Sequence, residues 1–148
     1  MKISKIQEER ILELDVSGKG GKDAQLAAAL GFERVSASYY DAIDKSGQEW
    51  EFKKQQTQQF LDPYKFSKMS KEEKKIKILF FVHSAGKILE VYETSYNKLI
   101  KAMGYTAWDL KAINKFWQRP CFAKRATQPK AELKLKEIKN FKLIWKRK

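Results

Sequence analysis

This sequence contains few residues that can form covalent links or soft-metal sites. Among its 148 residues there is one cysteine, Cys121, and one histidine, His83. A single cysteine excludes an internal disulfide and a cysteine-based metal cluster. We therefore expect a reducing, cytoplasmic location, with Cys121 as a packed or incidental thiol. His83 lies in an apolar strand pattern, and we interpret it as a structural residue.

Long hydrophobic segments are also missing. No apolar run approaches the roughly 20 residues that a transmembrane helix needs, and no signal-peptide core follows the first residues. We therefore expect a protein that stays inside the cell and has no membrane partner. The 148 residues, 43% of them hydrophobic, are enough for one domain with a substantial core. No repeat or long linker divides the chain, so we treat 1–148 as a single domain.

Acidic residues are too few to balance the basic ones. The chain has 31 lysines and arginines against 18 aspartates and glutamates, a formal net charge of +13. Residues 98–148 hold 15 bases and 3 acids, whereas 1–97 are nearly neutral. We expect a polyanionic partner, whose phosphates residues 98–148 grip with a steep salt dependence. The alternative is a lysine-rich surface that serves only solubility.

One segment, 40–53, places an acid before a tight turn and a Glu-Phe-Lys triplet after it. In the turn Asp44–Gly47, the aspartate can cap its own backbone and the glycine can take the left-handed conformation. A three-residue loop with a glycine bulge would pair Asp44 with Gln48. Continued along the ladder, this register places Asp41 opposite Glu51.

The strand after this turn carries residue types that suit phosphodiester hydrolysis. A strand period of two puts Glu51 and Lys53 on one face, with Trp50 and Phe52 pointing into a core. Hydrolysis needs a hard divalent cation held by oxygen ligands, which Asp41 and Glu51 would supply. Lys53 would position or deprotonate the attacking water, or would stabilise the transition state. The alternative is a solvated cross-strand charge pair without function.

The segment Asp41–Lys53 resembles the active-site hairpin of the PvuII-like type II restriction endonucleases, a branch of the PD-(D/E)XK nucleases. Upstream, Gly20–Lys22 is similar to the Gly-Gly-Lys that opens a helix in that family. Downstream, Ile78–Phe81 and Ile88–Tyr92 resemble its next strand pair, and Pro129–Lys130 fits its late Pro-Lys. The resemblance covers most of 14–145. It implies an α+β fold, a single restriction-endonuclease-like domain with a central mixed β-sheet and flanking helices.

This resemblance also implies an activity and a set of roles. Asp41, Glu51 and the backbone carbonyl of Phe52 become ligands of Mg²⁺, and Lys53 becomes the catalytic lysine. The implied enzyme is a type II restriction endonuclease, a homodimer that cuts both strands of DNA at specific sites. A companion DNA methyltransferase belongs to the same system without being a stable subunit. Residues 1–14 are the candidate dimerisation helix, 33–55 the active-site hairpin and 98–148 the DNA-gripping half.

The residues expected to read DNA bases depart from the family pattern. The family has histidines after the catalytic strand, where this chain has the glutamine-rich run 55–59. The family also has asparagines before the late Pro-Lys, where this chain has Thr127 and Gln128. Glutamine can bond adenine edges in the major groove, although a glutamine-rich loop is often only a polar connector. A further acid expected just before Asp41 is replaced by Ser38 or Tyr39. The predicted DNA-contacting residues are Gly20, Gly21, Lys22, Gln55, Gln56, Gln58, Lys124, Arg125, Thr127, Gln128 and Lys130.

Hydrophobic periodicity and capping signals predict the order of elements. We expect the first helix to pack on its own domain or on a second subunit, and the last helix to bury Trp108, Ile113, Phe116 and Trp117. The predicted helices are 4–14, 23–30, 95–103 and 106–117, and the predicted strands are 33–42, 48–55, 77–83, 87–93 and two strands within 131–145.

Two other functions fit the same sequence. A structure-selective nuclease of the resolvase or repair type would use the same fold and the same metal site. A non-catalytic, basic nucleic-acid-binding protein would carry Asp41, Glu51 and Lys53 only as a surface charge pattern. Fixed fragments from plasmid DNA favour restriction, cutting only at branches favours a resolvase, and binding without cleavage favours the third function.

Overall fold

A computed structural model describes residues 1–116 and 131–148 of this protein. The helices are α1 (Lys5–Glu13), α2 (Asp23–Leu30), α3 (Pro63–Lys68), α4 (Tyr96–Ala102), α5 (Ala107–Phe116) and α6 (Leu135–Ile138). The strands are β1 (Glu33–Arg34), β2 (Ala42–Ile43), β3 (Glu49–Gln55), β4 (Gln58–Phe60), β5 (Lys77–Ser84), β6 (Lys87–Ser95), β7 (Glu132–Lys134) and β8 (Lys142–Lys146).

Six strands form one mixed sheet in the order β1-β2-β3-β5-β6-β8. Strands β3 and β5 run parallel, and every other neighbouring pair in this sheet is antiparallel. Strands β4 and β7 form a separate antiparallel pair. Helices flank the sheet on both faces, which confirms the predicted α+β class with a central mixed sheet.

One face of the sheet is covered by the two N-terminal helices. Ile11 of α1 and Leu26 of α2 share a buried core with Trp50, Phe52 and Phe81 of the sheet. The rings of Phe52 and Phe81 meet edge to face with their centroids 5.7 Å apart. Each such side chain contributes about 1.5–3 kcal/mol on burial, so this core fixes β3 against α2.

The opposite face is covered by helices from the middle of the chain. Phe66 of α3 and Leu99 of α4 share a second buried core with Phe80 of β5. Because side chains alternate along a strand, Glu51 and Lys53 of β3 lie on this face, beside Phe80 in the parallel register. The predicted division of β3 into a core face and a charged face is thus confirmed, although helices cover the charged face as well.

Most predicted helix boundaries are confirmed because they depend on local capping. The side chains of Ser4 and Ser95 accept hydrogen bonds from first-turn amides of α1 and α4. The Thr106 hydroxyl accepts one from the N–H of Asp109 at 3.2 Å, at the start of α5. Helix α2 ends at Gly31, whose φ of 71° is the left-handed conformation of a glycine C-cap.

The predicted strands at 48–55, 77–83 and 87–93 are also confirmed as β3, β5 and β6. Ala85 and Gly86 connect β5 to β6, and both have positive φ values, of 50° and 81°. This two-residue turn matches the right-handed twist of the strands on either side. His83, as expected, is buried within β5.

The predicted continuous strand at 33–42 is wrong. The structure has two strands of two residues there, β1 and β2, and they pair with each other in antiparallel fashion. The chain therefore reverses between Arg34 and Ala42, with the N–H of Val35 donating to the carbonyl of Asp41 at 2.9 Å. The antiparallel pairing of β1 with β2 makes this reversal, which hydrophobic alternation does not reveal.

Two further expectations about packing need correction. Trp108 is 75% exposed and not buried as predicted. Ile113 is buried as predicted, together with Leu110, which lies three residues away on the same helix face. Trp117 and the side chain of Phe116 lie outside the described part of the chain. In the C-terminal segment both predicted strands exist as β7 and β8, but the short helix α6 separates them.

Helix α1 packs on its own chain through one face. Ile11 is fully buried, and the indole N–H of Trp145 donates to a carboxylate oxygen of Glu8 at 2.9 Å. Ile6 and Leu12 remain 62% and 42% exposed. Among residues 1–116 and 131–148, no helix is long and apolar enough to cross a membrane.

Candidate active site

The turn of the hairpin between β2 and β3 is organised by Asp44. Its Oδ1 accepts hydrogen bonds from the N–H of Ser46 at 2.8 Å, the Ser46 hydroxyl at 2.6 Å and the N–H of Gln48 at 3.0 Å. Its Oδ2 accepts one from the indole N–H of Trp50 at 2.9 Å. The N–H of Asp44 donates to the carbonyl of Gln48 at 3.0 Å, which confirms the predicted pairing.

These bonds also set the protonation of Asp44. Burial opposes ionisation, but the hydrogen bonds from Ser46, Trp50 and Gln48 outweigh it, so the pKa of Asp44 lies below its ordinary value. Gly47 has a φ of 86°, the left-handed position that the turn requires. The turn end of the hairpin is therefore closed and internally satisfied.

At the other end of the hairpin, Asp41 lies one residue before β2. The register of β2 on β3 pairs Ala42 with Trp50, as the predicted ladder requires. The N–H of Asp41 donates to the carbonyl of Trp50 at 2.8 Å, and its Oδ2 accepts from the N–H of Phe52 at 2.7 Å. The backbone pairing of β2 with β3 ends here, and the Asp41 side chain accepts the next N–H of β3, that of Phe52. This bond fixes the carboxylate against the strand that carries Glu51.

The charge of Asp41 is incompletely compensated. Burial raises the pKa of Asp41, and the nearby carboxylate of Asp23, at the start of α2, raises it further. The hydrogen bond from Phe52 and the positive charges of Lys53 and Lys65 oppose this rise without cancelling it. An ionised Asp41 is therefore stabilised by any additional cation that binds beside it.

Glu51 and Lys53 form an ion pair on the same face of β3. Glu51 is only 8% exposed, and the Lys53 Nζ lies 3.1 Å from its Oε1. Tyr96, buried at the start of α4, donates its hydroxyl hydrogen to the carbonyl of Tyr39 at 2.8 Å. Burial raises the pKa of Tyr96, and the negative charge of Glu51 beside it raises that pKa further. The structure thus brings together all three predicted catalytic residues.

Three residues of this site escaped the sequence analysis: Asp23, Lys65 and Tyr96. Burial lowers the pKa of Lys65, and the positive charge of Lys53 lowers it further, whereas the negative charges of Glu51 and Asp41 raise it. Lys65 is therefore close enough to interact electrostatically with all three predicted residues. No sequence motif marks these positions. They reach the site because α2, α3 and α4 pack on the sheet, which is a tertiary effect.

The donor groups at this site fit Mg²⁺. Asp41 and Glu51 offer hard carboxylate oxygens. In a strand, the N–H and C=O of one residue point to the same edge, so the carbonyl of Phe52 faces Asp41 like its N–H. No backbone N–H within 1–116 or 131–148 donates to this carbonyl outside the β3–β5 ladder. Phe52 therefore offers a third oxygen beside the two carboxylates.

The ligand set is small. In the described part of the chain, no three or more Asp, Glu, His or Cys side chains are grouped so as to hold a metal. Mg²⁺ commonly binds through one or two carboxylates and keeps several waters, so two carboxylates and one carbonyl suit it better than they suit a fully caged ion.

The predicted DNA-contacting residues occupy different environments. Gly20 and Gly21 are exposed and Lys22 is half-buried in the loop before α2. The Lys54 Nζ holds this loop by donating to the carbonyls of Val16 at 2.8 Å and Gly18 at 3.1 Å. These bonds tie the start of the loop to β3.

The glutamines after the catalytic strand differ from one another. Gln56 and Gln58 are exposed, whereas Gln55 is 4% exposed and its amide atoms have no hydrogen-bond partner within the described residues. The prediction that Gln55 contacts DNA has no support in this position, because strand alternation turns its side chain under the helices. Lys124, Arg125, Thr127, Gln128 and Lys130 lie outside the described residues, as does Cys121.

No family model matches this sequence, and no curated protein shows significant sequence similarity to it. The case for a nuclease site therefore comes from the residues and geometry of the hairpin itself.

Proposed function

We propose that this protein is a Mg²⁺-dependent type II restriction endonuclease that hydrolyses phosphodiester bonds of double-stranded DNA at specific sites. The observation that supports this most directly is the convergence of Asp41, Glu51 and Lys53 at the open end of one hairpin. The alternative of a solvated charge pair is disfavoured, since Glu51 is buried and Asp41 is half-buried.

Each side chain has a role in this proposal. Asp41, Glu51 and the carbonyl of Phe52 would hold Mg²⁺, which when bound would neutralise charge on the scissile phosphate. Lys53, paired with Glu51 at 3.1 Å, stays close to the metal ligands. Its ammonium orients the attacking water or stabilises the negative charge that develops on phosphorus oxygens.

Charge supports a polyanionic substrate. The formal net charge of the chain is +13, and most of the excess lies in residues 98–148. Such a charge attracts DNA from solution and releases its counterions on binding. The carboxylates of the site do not attract DNA, so the basic residues elsewhere in the chain provide that attraction.

A homodimer remains part of the proposal, because two copies place one site on each strand of a palindrome. The exposed Ile6 and Leu12 of α1 are apolar surface that a second copy can cover. A companion methyltransferase would protect the host DNA.

The decisive test is cleavage of unmethylated plasmid and phage DNA by the purified protein, with and without Mg²⁺. Discrete fragments whose ends share one sequence support restriction. Cutting confined to four-way junctions indicates a structure-selective nuclease instead. Retarded but intact DNA refutes catalysis and leaves a basic binding protein.

Two variants accompany the wild-type protein in this experiment. Lys53→Ala removes the ammonium beside Glu51 and should abolish cleavage. Lys45→Ala removes an equal charge from the exposed turn of the same hairpin and should cut like wild type. Equal loss in both variants would point to a general charge effect on DNA binding.

A further inference from the structure

Two lysines approach the carboxylates of this site from different elements, Lys53 from β3 and Lys65 from α3. Lys53 is paired, with its Nζ 3.1 Å from Glu51. Lys65 forms no ion pair in the described part of the chain. Its Nζ lies over the ring of Tyr39, 5.5 Å from the ring centroid.

The position of Lys65 is fixed by the packing of α3. Asp62 caps this helix by accepting the N–H of Tyr64 at 3.1 Å, and Pro63 begins its first turn. Phe66, next to Lys65, is 2% exposed, and its ring meets that of Tyr96 edge to face at 6.1 Å. Lys65 is thus anchored by its immediate neighbour in the chain.

The same packing ties α3 to the segment that carries Asp41. Tyr96 donates its hydroxyl hydrogen to the carbonyl of Tyr39, and the Tyr39 ring lies beneath Lys65. Tyr39 is two residues from Asp41 in the chain. Helix α3, Tyr96 and the approach to β2 therefore form one packed unit that places the Lys65 ammonium over Tyr39, two residues from Asp41.

The charge of Lys65 is only partly compensated by the described residues. Burial lowers its pKa, and the carboxylates of Glu51 and Asp41 offset only part of that effect. When those carboxylates bind a divalent cation, their negative charge is no longer available to Lys65. The half-buried Lys65 ammonium, beside carboxylates that hold a metal, then favours an anionic partner. Lysine is a common ligand of phosphate, to which it presents a single positive charge.

We propose that Lys65 is a second catalytic lysine, whose ammonium contacts a non-bridging oxygen of the scissile phosphodiester. This inference rests on the proposed nuclease function and adds a residue to it. In the hydrolysis the water oxygen bonds to phosphorus as the phosphorus–oxygen bond to the leaving strand breaks. One proton leaves the water and one joins the leaving oxygen, so Lys65 acts through its charge and has no net proton change.

Lys68 provides a matched control on the same helix. It lies one turn further along α3, and its Nζ sits 5.1 Å from the centroid of the Tyr64 ring, much as Lys65 sits over Tyr39. Lys68 is exposed and, unlike Lys65, is not among the charges that act most strongly on Asp41. A role for Lys65 in helix stability alone would make the two lysines equivalent.

The test compares Lys65→Met, Lys65→Arg and Lys68→Met with wild type. Methionine keeps most of the apolar stem and removes the charge, so the fold should persist. We expect Lys65→Met to lower the single-turnover cleavage rate by about 100-fold or more, as loss of one transition-state donor does. Lys65→Arg should restore part of the rate, and Lys68→Met should stay within about threefold of wild type on the same scale.

Binding of a fluorescent DNA duplex in Ca²⁺, followed by anisotropy, separates this inference from the proposed function. The duplex carries the cleavage site if wild type cuts, and a fixed plasmid-derived sequence if it does not. If wild type cuts and Lys53→Ala does not, while Lys65→Met cuts at the wild-type rate, the inference is overturned and the nuclease proposal stands. If wild type never cuts, the nuclease proposal fails. Weaker binding by Lys65→Met than by Lys68→Met would then still support a phosphate contact, and equal binding would overturn it.

Discussion

Two aspartates at opposite ends of one hairpin differ in how many hydrogen bonds they accept and in the direction of their pKa shifts. This difference separates a structural carboxylate from a candidate metal ligand. Asp44 accepts four hydrogen bonds from its own turn and from Trp50, and its pKa is lowered. Asp41 accepts one hydrogen bond from the described residues, and its pKa is raised by burial. A carboxylate has about four acceptor positions. Asp44 has filled them within the chain, whereas Asp41 keeps capacity for a ligand.

The largest expected difference between these aspartates is in catalysis. Asp41→Asn should lower the rate of Mg²⁺-dependent DNA cleavage by about 10³-fold, or about 4 kcal/mol, because a metal ligand loses its charge. Asp44→Asn should keep the activity at a temperature where it is folded, since its carboxylate contacts only the turn and the Trp50 indole. Single-turnover rates on a fixed-site plasmid measure both, and equal losses would remove the distinction between the two ends.

The next largest difference concerns folding. Asp44→Ala leaves the indole N–H of Trp50, a residue only 2% exposed, without an acceptor and also frees two turn amides. We expect a loss of about 2–3 kcal/mol in the free energy of unfolding, measured in urea. Lys45→Ala, in the same turn, should change it by less than about 0.5 kcal/mol. A stable Asp44→Ala protein would show that the turn does not need its cap.

The expected difference between Asp41 and Asp44 in binding Mg²⁺ can be tested without DNA. Mg²⁺ at ten times its dissociation constant should stabilise wild type by about 1.4 kcal/mol, because only the folded hairpin assembles the ligands. Asp44→Asn should retain this increment and Asp41→Asn should lose it. Melting curves with and without Mg²⁺ measure the effect, and an equal Mg²⁺ shift in Asp41→Asn would exclude Asp41 as a ligand.

What sequence could predict about this hairpin was local. The residues Asp44 to Gly47 carry their own turn chemistry, so the register and the facing of Glu51 and Lys53 followed from it. The caps of α1, α2, α4 and α5 were equally local. The predicted strand 33–42 was wrong because hydrophobic alternation does not mark the reversal that pairs β1 with β2. Lys65 and Tyr96 were missed because packing of α3 and α4 on the sheet, rather than any motif, brings them to the carboxylates.

The smallest expected effects are the opposite pH dependences of the two aspartates. The folded pKa of Asp41 is raised above 3.8, so the folded state binds its proton more tightly. Stability therefore falls as pH rises from about 3.8 through the folded pKa of Asp41. The folded pKa of Asp44 is below 3.8, so its contribution is full above that value and is lost as pH falls through the lower folded pKa.

Asp41→Asn removes the desolvated charge while its side-chain oxygen still accepts the N–H of Phe52. In the absence of metal at pH 7, we expect this variant to be more stable than wild type by on the order of 1 kcal/mol, a gain typical of relieving a strained functional site. Urea unfolding of both proteins from pH 3 to 7 should show the difference growing with pH. A difference that stays at zero would mean that Asp41 is as well satisfied within the fold as Asp44, and the hairpin would then have two structural ends.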